Sequence, residues 1–485
     1  MSSSEPIPPL WSGMEYFEHQ TYAIREFLLK LETEGQLCPS HGSSKIPKRV
    51  KGGLLCDEMG AGKTIMMLAL AMLNPLERTL IVVPKAVIHN WTVNAVRANF
   101  RVFNIVGSGT DAKWQLLNKE AKQISEIYIC GYPSLKHKAY LFDRETYRWN
   151  RAIFDEGHVF RNSRTALYKA VMKLVVGVVH RWVVTATPVV NCEADAISLL
   201  SVVGVPTGNS RLWDREYYKL LLPKLILRRS MEELRECVPT MPPRPEIETI
   251  TLEFTCEEEE DYYGMLQGIA SRMRLAFATG RRAEGLELLL RLRQAGLSPE
   301  LIPSKLLDKS VAKWEPGKPS AKMGAILKMV QEEPEEKFLV FCWFHKEMDL
   351  IKEMLEKKDI SCEQYHGLLS NKERVEVLER AVLPGTRVLL IQLQSGGVGL
   401  NLQEFSRVIF TSPYWTCALM DQAIGRAVRI GQKKIVKVYH LLIAPEAGLD
   451  IDRMSANIAE DKREIGEDFF RIADGLEEDE ESDED

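Results

Sequence analysis

The sequence predicts an α/β fold of two tandem lobes, each built on a parallel sheet, with a helical region between them. Short apolar runs of strand length alternate with amphipathic stretches of helical length, which is the pattern of parallel strands buried under helices. The alternation occurs in both halves of the chain. A middle segment rich in proline, glycine and charged residues separates the two halves. Two α/β sheets in one chain are the simplest interpretation.

Ten apolar runs are the candidate strands. In the first half they are Gly53–Cys56, Thr79–Val83, Ile127–Cys130, Arg151–Phe154 and Trp182–Thr185. In the second half they are Phe338–Cys342, Cys362–Tyr365, Val388–Gln392, Val408–Thr411 and Val436–Leu441. The middle segment contains MPPRP, an acidic cluster and the helical run Gly285–Ala295, so we interpret it as a helical linker region with loops.

These patterns divide the chain into five predicted segments. They are an N-terminal segment with a polar loop (1–50), a first lobe (51–230), the linker region (231–318), a second lobe (319–460) and an acidic tail (461–485). The tail is expected to be disordered, because a run of like charges cannot bury enough apolar surface to fold.

Composition excludes several classes of protein. A chain of 485 residues with 45% hydrophobic content can build two or three cores. No apolar run reaches the length of about 18 residues that a membrane-spanning helix needs. The N-terminal MSSSEPIPPLWSG lacks the basic start and apolar core of a signal peptide. The nine cysteines form no Cys-x-x-Cys pair. We therefore expect an intracellular protein with reduced thiols, no zinc and no membrane partner.

The charge is divided unequally between the body and the tail. The net charge is −5, yet the residues from Glu467 to Asp485 contain eleven acids and one base. Subtracting the −10 of this tail leaves +5 on the rest of the chain. A mildly basic body is compatible with a nucleic-acid partner but does not by itself indicate one.

The segment GLLCDEMGAGKT predicts a phosphate-binding loop between a strand and a helix. Its end, Gly60-Ala61-Gly62-Lys63-Thr64, fits the last part of the G-x-x-x-x-G-K-[ST] pattern, while Asp57 replaces the first glycine. Glycines let backbone N–H groups turn toward phosphate oxygens, and the following helix N-terminus adds partial positive charge. Lys63 is expected to bind the β- and γ-phosphates of ATP, and Thr64 to ligate Mg²⁺.

A pair of acids completes this predicted ATP site. Asp155 and Glu156 follow the apolar strand Arg151–Phe154, about 90 residues after the phosphate loop. Adjacent acids at a strand end place one carboxylate on each side of the bend. We expect Asp155 to hold Mg²⁺ through water and Glu156 to accept a proton from the attacking water.

Further blocks give the chain a resemblance to the SWI/SNF-like ATPases, the DNA-translocating branch of helicase superfamily two. In family order they are MEYFEHQ, DEMGAGKT, VVPKAVIHNW, DEGH with VFRNSRT, RWVVTATPVVN, ILRRS with MPPRPE, LLRLRQ, QSGGVGLNLQ and DQAIGRAVRIGQ. They extend from about Met14 to Ala459, and the Q-x-x-G-R-x-x-R-I-G-Q block is the most specific. The resemblance implies two RecA-like lobes that hydrolyse ATP with Mg²⁺ on double-stranded DNA.

The resemblance also implies roles for residues outside the phosphate loop. Gln20 is expected to read adenine. Arg426 and Arg429, three apart on a predicted helix, are expected to reach the ATP site from the second lobe as arginine fingers. The residues expected to couple hydrolysis to movement are His158, Thr185, Thr187 and Gln422. The expected nucleic-acid contacts are Lys85, Asn90, Trp91, Gln394, Ser395, Gly396 and Trp415, although Trp91 and Trp415 have core packing as an alternative.

Three positions depart from the family pattern. Gly157 stands where alanine is usual, Ala186 where glycine is commoner, and Asn94 where glutamate is frequent. None of these changes removes a catalytic group. The expected partners are double-stranded DNA and the proteins bound to it, nucleosomes among them. The expected location is the nucleus, or an infected cell if the source is a virus.

Two other functions stay open at this point. An RNA helicase of the same superfamily would use the same ATP site, although the R-I-G-Q ending and the RRS, PPRP and LRLRQ blocks favour the DNA translocase. An inactive nucleotide-binding scaffold is the second alternative. The intact set of Lys63, Asp155, Glu156, Arg426 and Arg429 argues against it.

Overall fold

The structure, a computed structural model, describes most of the chain as two units. The described residues are 6–41, 46–121, 123, 125–143, 145–207, 214–238, 241–303, 314–315, 317–393, 400–429, 431–444 and 450–475. Unit 1 comprises Met1–Met241 and Lys462–Asp485, and unit 2 comprises Pro242–Asp461. Among the described helices, none is long and apolar enough to cross a membrane.

Unit 1 is built on a large, mostly parallel sheet. Its strands are β1 Gln36–Cys38, β2 Lys48–Val50, β3 Leu54–Leu55, β4 Arg78–Val83, β5 Arg101–Val106, β6 Lys113–Leu116, β7 Glu126–Gly131, β8 Arg151–Asp155, β9 His180–Val184 and β10 Ile226–Leu227. β1 and β2 form an antiparallel hairpin, and the other eight strands form one sheet in the order β10-β3-β9-β8-β4-β7-β5-β6. The β5–β6 pair is antiparallel, and the other neighbouring strands of this sheet are parallel.

Helices cover this sheet. They are α1 Glu18–Tyr22, which continues through the π-helical stretch Ala23–Leu29 into α2 Lys30–Thr33, then α3 Lys63–Leu73, α4 Ile88–Arg97, α5 Tyr132–His137, α6 Ala166–Val175, α7 Glu193–Val203, α8 Arg215–Leu225 and α9 Met231–Cys237. Capping residues fix several of the starts. The Ser230 hydroxyl accepts a hydrogen bond from the Glu233 N–H, and the Glu233 carboxylate accepts from the Ser230 N–H. This reciprocal capping box satisfies two backbone donors that a helix leaves unpaired.

Unit 2 is a doubly wound parallel sheet. Its strands are β11 Glu246–Leu252, β12 Phe338–Cys342, β13 Cys362–Tyr365, β14 Val388–Gln392, β15 Arg407–Phe410 and β16 Lys437–Ile443, in the order β11-β16-β15-β12-β14-β13. Its helices are α10 Glu257–Ala278, α11 Arg282–Leu297, α12 Ala321–Glu332, α13 His345–Glu356, α14 Asn371–Val382, α15 Cys417–Ala427 and α16 Ile451–Asp474, the last of which continues into unit 1. Alternate residues of β12 face different cores: Leu339 and Phe341 lie in one, and Phe338 and Val340 lie in the other. Side chains buried on both faces explain why the strands are continuous apolar runs.

The predicted α/β fold with two parallel-sheet lobes is confirmed, and ten strands lie at or next to the predicted runs. Several elements were not predicted. β11 reads EIETITL, and most of its residues are exposed on a sheet edge, so it lacks the apolar run that marked the other strands. It pairs in register with β16 as part of the unit 2 sheet, which places a strand in the segment interpreted as a helical linker.

The acidic tail also differs from its prediction. Disorder was expected from residue 461, but α16 is helical through Asp474, and Phe469, Ile472 and Ala473 are buried in the core of unit 1. The helix forms because its apolar residues recur at helical spacing between the acids. The remaining tail residues, 476–485, lie outside the described part of the chain.

Candidate ATP site and nucleic-acid interface

The order of the unit 1 sheet brings four predicted motifs to one edge. β3, β9, β8 and β4 are neighbours in that order and are parallel, so their carboxyl ends meet at the same edge of the sheet. The loops that follow them are the phosphate loop, the Thr185–Thr187 segment, the Asp155-Glu156 pair and the Lys85–Trp91 segment. Ligands of open α/β sheets bind outside the carboxyl ends of the strands.

The phosphate loop has the backbone that its glycines permit. Gly60 and Gly62 have φ angles of 90° and 83°, in the left-handed region that favours glycine. α3 begins directly after them at Lys63. The ammonium group of Lys63 donates to the carbonyls of Asp57 at 2.7 Å and Glu58 at 3.1 Å, so it lies folded into the loop. A helix N-terminus with a lysine at its first residue offers both N–H donors and a positive charge to a phosphate.

Gln20 lies against this loop. Its amide Nε2 donates to the Ala61 carbonyl at 3.1 Å, and its Oε1 accepts from the Phe17 N–H at 3.2 Å. A Cβ on Gly62 would lie 2.4 Å from the Gln20 Nε2, so a larger residue would displace the Gln20 amide, and the φ of 83° already favours glycine there. The structure thus places Gln20 beside the phosphate loop, whereas its reading of adenine stays a prediction.

The buried Asp57 was not recognised from sequence as a functional residue. Its carboxylate accepts from Arg229, with the guanidinium Nε 3.0 Å from Oδ1 and Nη2 bonded to Oδ2. The same guanidinium donates through Nη1 to the carbonyl of His19. Arg229 therefore ties the phosphate loop to the helix that carries Gln20. The only sequence signal for it was the ILRRS block.

Asp155 is held by donors on both carboxylate oxygens. Oδ2 accepts from the indole Nε1 of Trp91 at 2.7 Å, and Oδ1 accepts from the Glu156 N–H at 3.0 Å. The Tyr132 hydroxyl donates to the Asp155 carbonyl at 2.6 Å. Burial, with the neighbouring Glu156 charge, raises the pKa of Asp155 to about 6, while the Trp91 N–H and the Lys63 charge oppose that rise. A bound cation would favour the ionised carboxylate.

Glu156 occupies a strained backbone conformation. Its φ and ψ are 52° and 46°, in the left-handed region that few residues other than glycine adopt. Such conformations cost about 1–3 kcal/mol and persist only where the surrounding structure holds them. As a result, the carboxylates of Asp155 and Glu156 point in different directions. Asp155 faces Trp91, and the Glu156 Oε2 lies 3.3 Å from His158 Nδ1.

His158 connects the acid pair to the Thr185–Thr187 segment. Its Nδ1 lies 3.1 Å from the Thr185 hydroxyl, which in turn accepts from the Thr187 N–H at 3.2 Å. Burial lowers the pKa of His158 to about 4, so the imidazole is neutral near pH 7. The coupling role of His158, Thr185 and Thr187 stays a prediction.

Six of the seven predicted nucleic-acid residues fall into three groups. Lys85, in the short turn before α4, and Asn90, in the first turn of α4, are exposed. Trp91 is 1% exposed, and its N–H is occupied by Asp155, which favours the packing alternative. Gln394, Ser395 and Gly396 lie outside the described residues.

Trp415 has a neighbour that sequence did not reveal. The guanidinium of the buried Arg293 lies between two indoles, 4.3 Å from the Trp415 ring centroid and 3.7 Å from that of Trp343. Its Nη2 also donates to the Ser455 hydroxyl at 2.6 Å. The contact of Trp415 with Arg293 favours core packing over a nucleic-acid contact for this tryptophan. Arg293 belongs to the LLRLRQ block, which lies in unit 2.

The two predicted finger arginines do not share a helix. α15 ends at Ala427, and Val428 leaves helical geometry with φ −82° and ψ 84°. Arg429 lies beyond this end and donates to the Leu400 carbonyl at 3.4 Å, whereas Arg426 is buried within α15 together with Gln422. The prediction that both arginines lie on one helix is wrong for this reason. Their role as fingers is untested by these contacts.

Comparison with known proteins identifies the family. The SNF2-related domain matches residues 19–301, and the helicase conserved C-terminal domain matches residues 321–431. A "Probable global transactivator" of Orgyia pseudotsugata multicapsid polyhedrosis virus is 28% identical over 91% of this chain and 89% of its own length. The DNA repair protein RAD5 of Candida albicans is 23% identical over 87% of this chain, which spans 56% of that relative.

Two further proteins are similar to this chain. The human SWI/SNF-related matrix-associated actin-dependent regulator of chromatin subfamily A member 1 is 25% identical over 80% of this chain and 39% of its own length. A solved structure, the Sulfolobus solfataricus SWI2/SNF2 ATPase core in complex with dsDNA, is 20% identical, covers 97% of this chain and 96% of that chain, and has a TM-score of 0.40. Because the SNF2-related domain matches more than half of its residues, the chain belongs to the SNF2-related family and is a helicase-like, ATP-hydrolysing enzyme.

Proposed function

We propose that this enzyme is an ATP-dependent translocase on double-stranded DNA that acts on chromatin or on other DNA-bound proteins. One observation carries the proposal: the exposed Lys85 and Asn90 lie at the same sheet edge as the phosphate loop and the Asp155-Glu156 pair. Lysine and asparagine side chains at such a position suit phosphate contacts, which hold a nucleic acid without reading its sequence. Relatives described as a transactivator, a DNA repair protein and a regulator of chromatin support a DNA substrate.

The residues at the sheet edge suit ATP and Mg²⁺. Mg²⁺ prefers oxygen ligands and keeps several waters, and it binds through one or two protein oxygens together with substrate phosphates. Thr64 at the start of α3 and Asp155 at the end of β8 supply oxygen donors of that kind. A bound Mg²⁺ would neutralise charge on the phosphates. The inactive scaffold is set aside, since the family is one of ATP-hydrolysing enzymes.

We assign roles in hydrolysis to three side chains. Lys63 leaves its loop carbonyls and binds the β- and γ-phosphates. Glu156 accepts the proton of the attacking water, and the neutral His158 holds its carboxylate while contacting Thr185. Positioning and charge stabilisation supply most of the catalysis in phosphoryl transfer. The contacts that hold the carboxylates of Asp155 and Glu156 in place are therefore important for the rate.

The first test is ATPase rate against a panel of nucleosomes, naked duplex, branched DNA and single-stranded RNA. We expect duplex DNA to stimulate the rate with little dependence on sequence, and the apparent affinity to fall steeply with salt. Glu156→Gln is the control, because it keeps ATP binding and should abolish turnover. Stimulation by RNA alone would favour the RNA helicase alternative and overturn the DNA assignment.

The second test separates translocation from unwinding. The enzyme should displace a third strand or a bound protein from duplex DNA in an ATP-dependent manner, yet separate the strands of a tailed duplex poorly. Efficient unwinding would contradict the proposal. The nucleus, or an infected cell for a viral source, is the location that this function implies.

A further inference from the structure

We propose that Trp91 is a positioning residue for Asp155, and that it joins the DNA-facing start of α4 to the carboxylate at the metal site. The inference rests on the proposed role of Asp155 toward Mg²⁺. It gives Trp91 a function different from the nucleic-acid contact expected from its motif.

The contact is short, partly buried and directed at a charged acceptor. The indole Nε1 lies 2.7 Å from Asp155 Oδ2, within the range of charge-assisted hydrogen bonds. An indole has a single N–H donor, and this donor is already used. Because Trp91 is 1% exposed, its ring is packed in unit 1 and cannot also lie on a nucleic acid.

The other oxygen of the Asp155 carboxylate receives its hydrogen bond from within the acid pair. Oδ1 accepts from the N–H of Glu156, whose own backbone is strained. Trp91 therefore provides the only donor from outside the acid pair that the described residues give to this carboxylate. Residues that orient a metal-binding carboxylate in this way are worth about 10- to 100-fold in metal affinity or activity.

The same residue belongs to the helix that carries the proposed DNA contact Asn90 and that follows the other, Lys85. Trp91 is in the first turn of α4, and it follows Lys85, His89 and Asn90, all of which are exposed. The indole and the exposed His89 and Asn90 lie in the same turn of α4. We therefore expect a ligand on the exposed side of this turn to act on the hydrogen bond of the indole as well.

Trp91→Phe tests the hydrogen bond, and Trp182→Phe is a matched control. Trp182 is also fully buried in unit 1, but its Nε1 has no hydrogen-bond partner among the described residues. Both substitutions remove the same atoms from a core. The readout is the Mg²⁺ concentration that gives half-maximal binding of a fluorescent, non-hydrolysable ATP analogue, recorded beside the thermal unfolding midpoint.

We expect Trp91→Phe to raise the half-saturating Mg²⁺ concentration by about 10-fold or more. Trp182→Phe should leave it within about twofold even if it lowers the unfolding midpoint as much. Equal shifts in the two variants would overturn the inference, because a purely structural role would affect both alike.

Asp155→Asn separates this inference from the proposed metal site. If Asp155→Asn leaves the Mg²⁺ dependence unchanged, the metal role of Asp155 is wrong. If Asp155→Asn shifts the dependence while Trp91→Phe behaves like Trp182→Phe, only the role of Trp91 is wrong. In the Asp155→Asn background, Trp91→Phe should add no further shift, and an additive shift would overturn the inference.

Duplex DNA provides the test of the link through α4. Binding linkage is reciprocal, so DNA should lower the half-saturating Mg²⁺ concentration in the natural chain and in Trp182→Phe. In Trp91→Phe this effect should be lost. A DNA effect of the same size in Trp91→Phe would show that the coupling takes another route.

Discussion

The acid pair shows how single residues are constrained by close contacts. Gly157 follows the strained Glu156, and a Cβ built on it would lie 2.4 Å from Val183 Cγ1 and 3.3 Å from Phe160 Cζ. Val183 and Phe160 are both fully buried, so neither can move away at low cost. Val183 and Phe160 therefore occupy the space that the methyl group of an alanine at position 157 would need.

Gly157→Ala should lower the free energy of unfolding of unit 1 by about 1–3 kcal/mol, the usual cost of overpacking a core. It should also reduce ATP turnover, since the displaced backbone belongs to the loop of Glu156. Adding Val183→Ala should relieve the clash, so the double variant should be more stable than the sum of the two single changes predicts. Chemical denaturation of the four chains measures this, and simple additivity would contradict it.

At this scale, motif residues were predictable and their partners were not. Lys63, Asp155 and Glu156 lie where the spacing of motif, strand and helix places them. Arg229 bonds Asp57 across 172 positions of sequence, and Trp91 bonds Asp155 across 64. A single sequence carries no signal for such pairs, because they are determined by which strands become neighbours.

At the scale of elements, a buried arginine side chain connects α11 to the rest of unit 2. Arg293 is 1% exposed, and its Nε and Nη1 have no hydrogen-bond partner among the described residues. The two indole faces therefore replace water around the guanidinium, with Ser455 as one acceptor. Burial lowers the pKa of Arg293 to about 10, so it is still charged near neutral pH.

Arg293→Lys should destabilise unit 2 more than Arg293→Met does. Lysine keeps the buried charge but loses the guanidinium that makes cation–π contacts with both indoles, and such contacts are worth about 2 kcal/mol or more when desolvated. Methionine removes the charge together with its desolvation cost and keeps the apolar stem. Unfolding midpoints of the three proteins decide the order, and the reverse order would show that the buried charge and its hydrogen bond, not the cation–π contacts, hold the residue.

The same element limited what sequence could predict. The segment 231–318 looked like a linker because its composition is unlike that of the lobes. β11 and α11 nevertheless complete the sheet and the cores of unit 2. Edge strands with alternating polar residues and helices that bury one arginine carry weak periodicity, so their place is decided by tertiary packing.

At the scale of the whole molecule, the proposed fingers belong to unit 2 and the phosphate loop to unit 1. Arg429→Ala should reduce turnover by about 10³-fold or more while nucleotide affinity changes by a small factor, because a finger acts mainly in the transition state. Arg426→Ala should reduce turnover too, and should also lower stability, since Arg426 is buried. Arg380→Ala removes an exposed arginine of unit 2 as a control. A loss of ATP binding with unchanged turnover at saturation would contradict the finger role.

The charge of the tail gives a second prediction at this scale. Residues Glu477 to Asp485 contain eight acids in nine positions. Competition between this tail and DNA for the basic body should be strongest at low salt, where the Debye length grows from about 10 Å at 0.1 M to about 30 Å at 0.01 M. Deleting everything after Gly475 should tighten DNA binding at low salt and have little effect at high salt. Equal affinities of the full and shortened chains at low salt would leave the tail only a solubilising role.

The discontinuity of unit 1 has a consequence for the order in which the chain can fold during synthesis. Its core includes Phe469, Ile472 and Ala473, but all of unit 2 is translated before these residues appear. At about 5–20 residues per second, the ribosome takes on the order of 10–40 s to make that intervening stretch. Throughout this interval the nascent first lobe exposes the apolar surface that α16 later covers. A chaperone that binds exposed apolar segments would bind this surface of the first lobe. Release of the finished C-terminus from the ribosome would allow α16 to cover it.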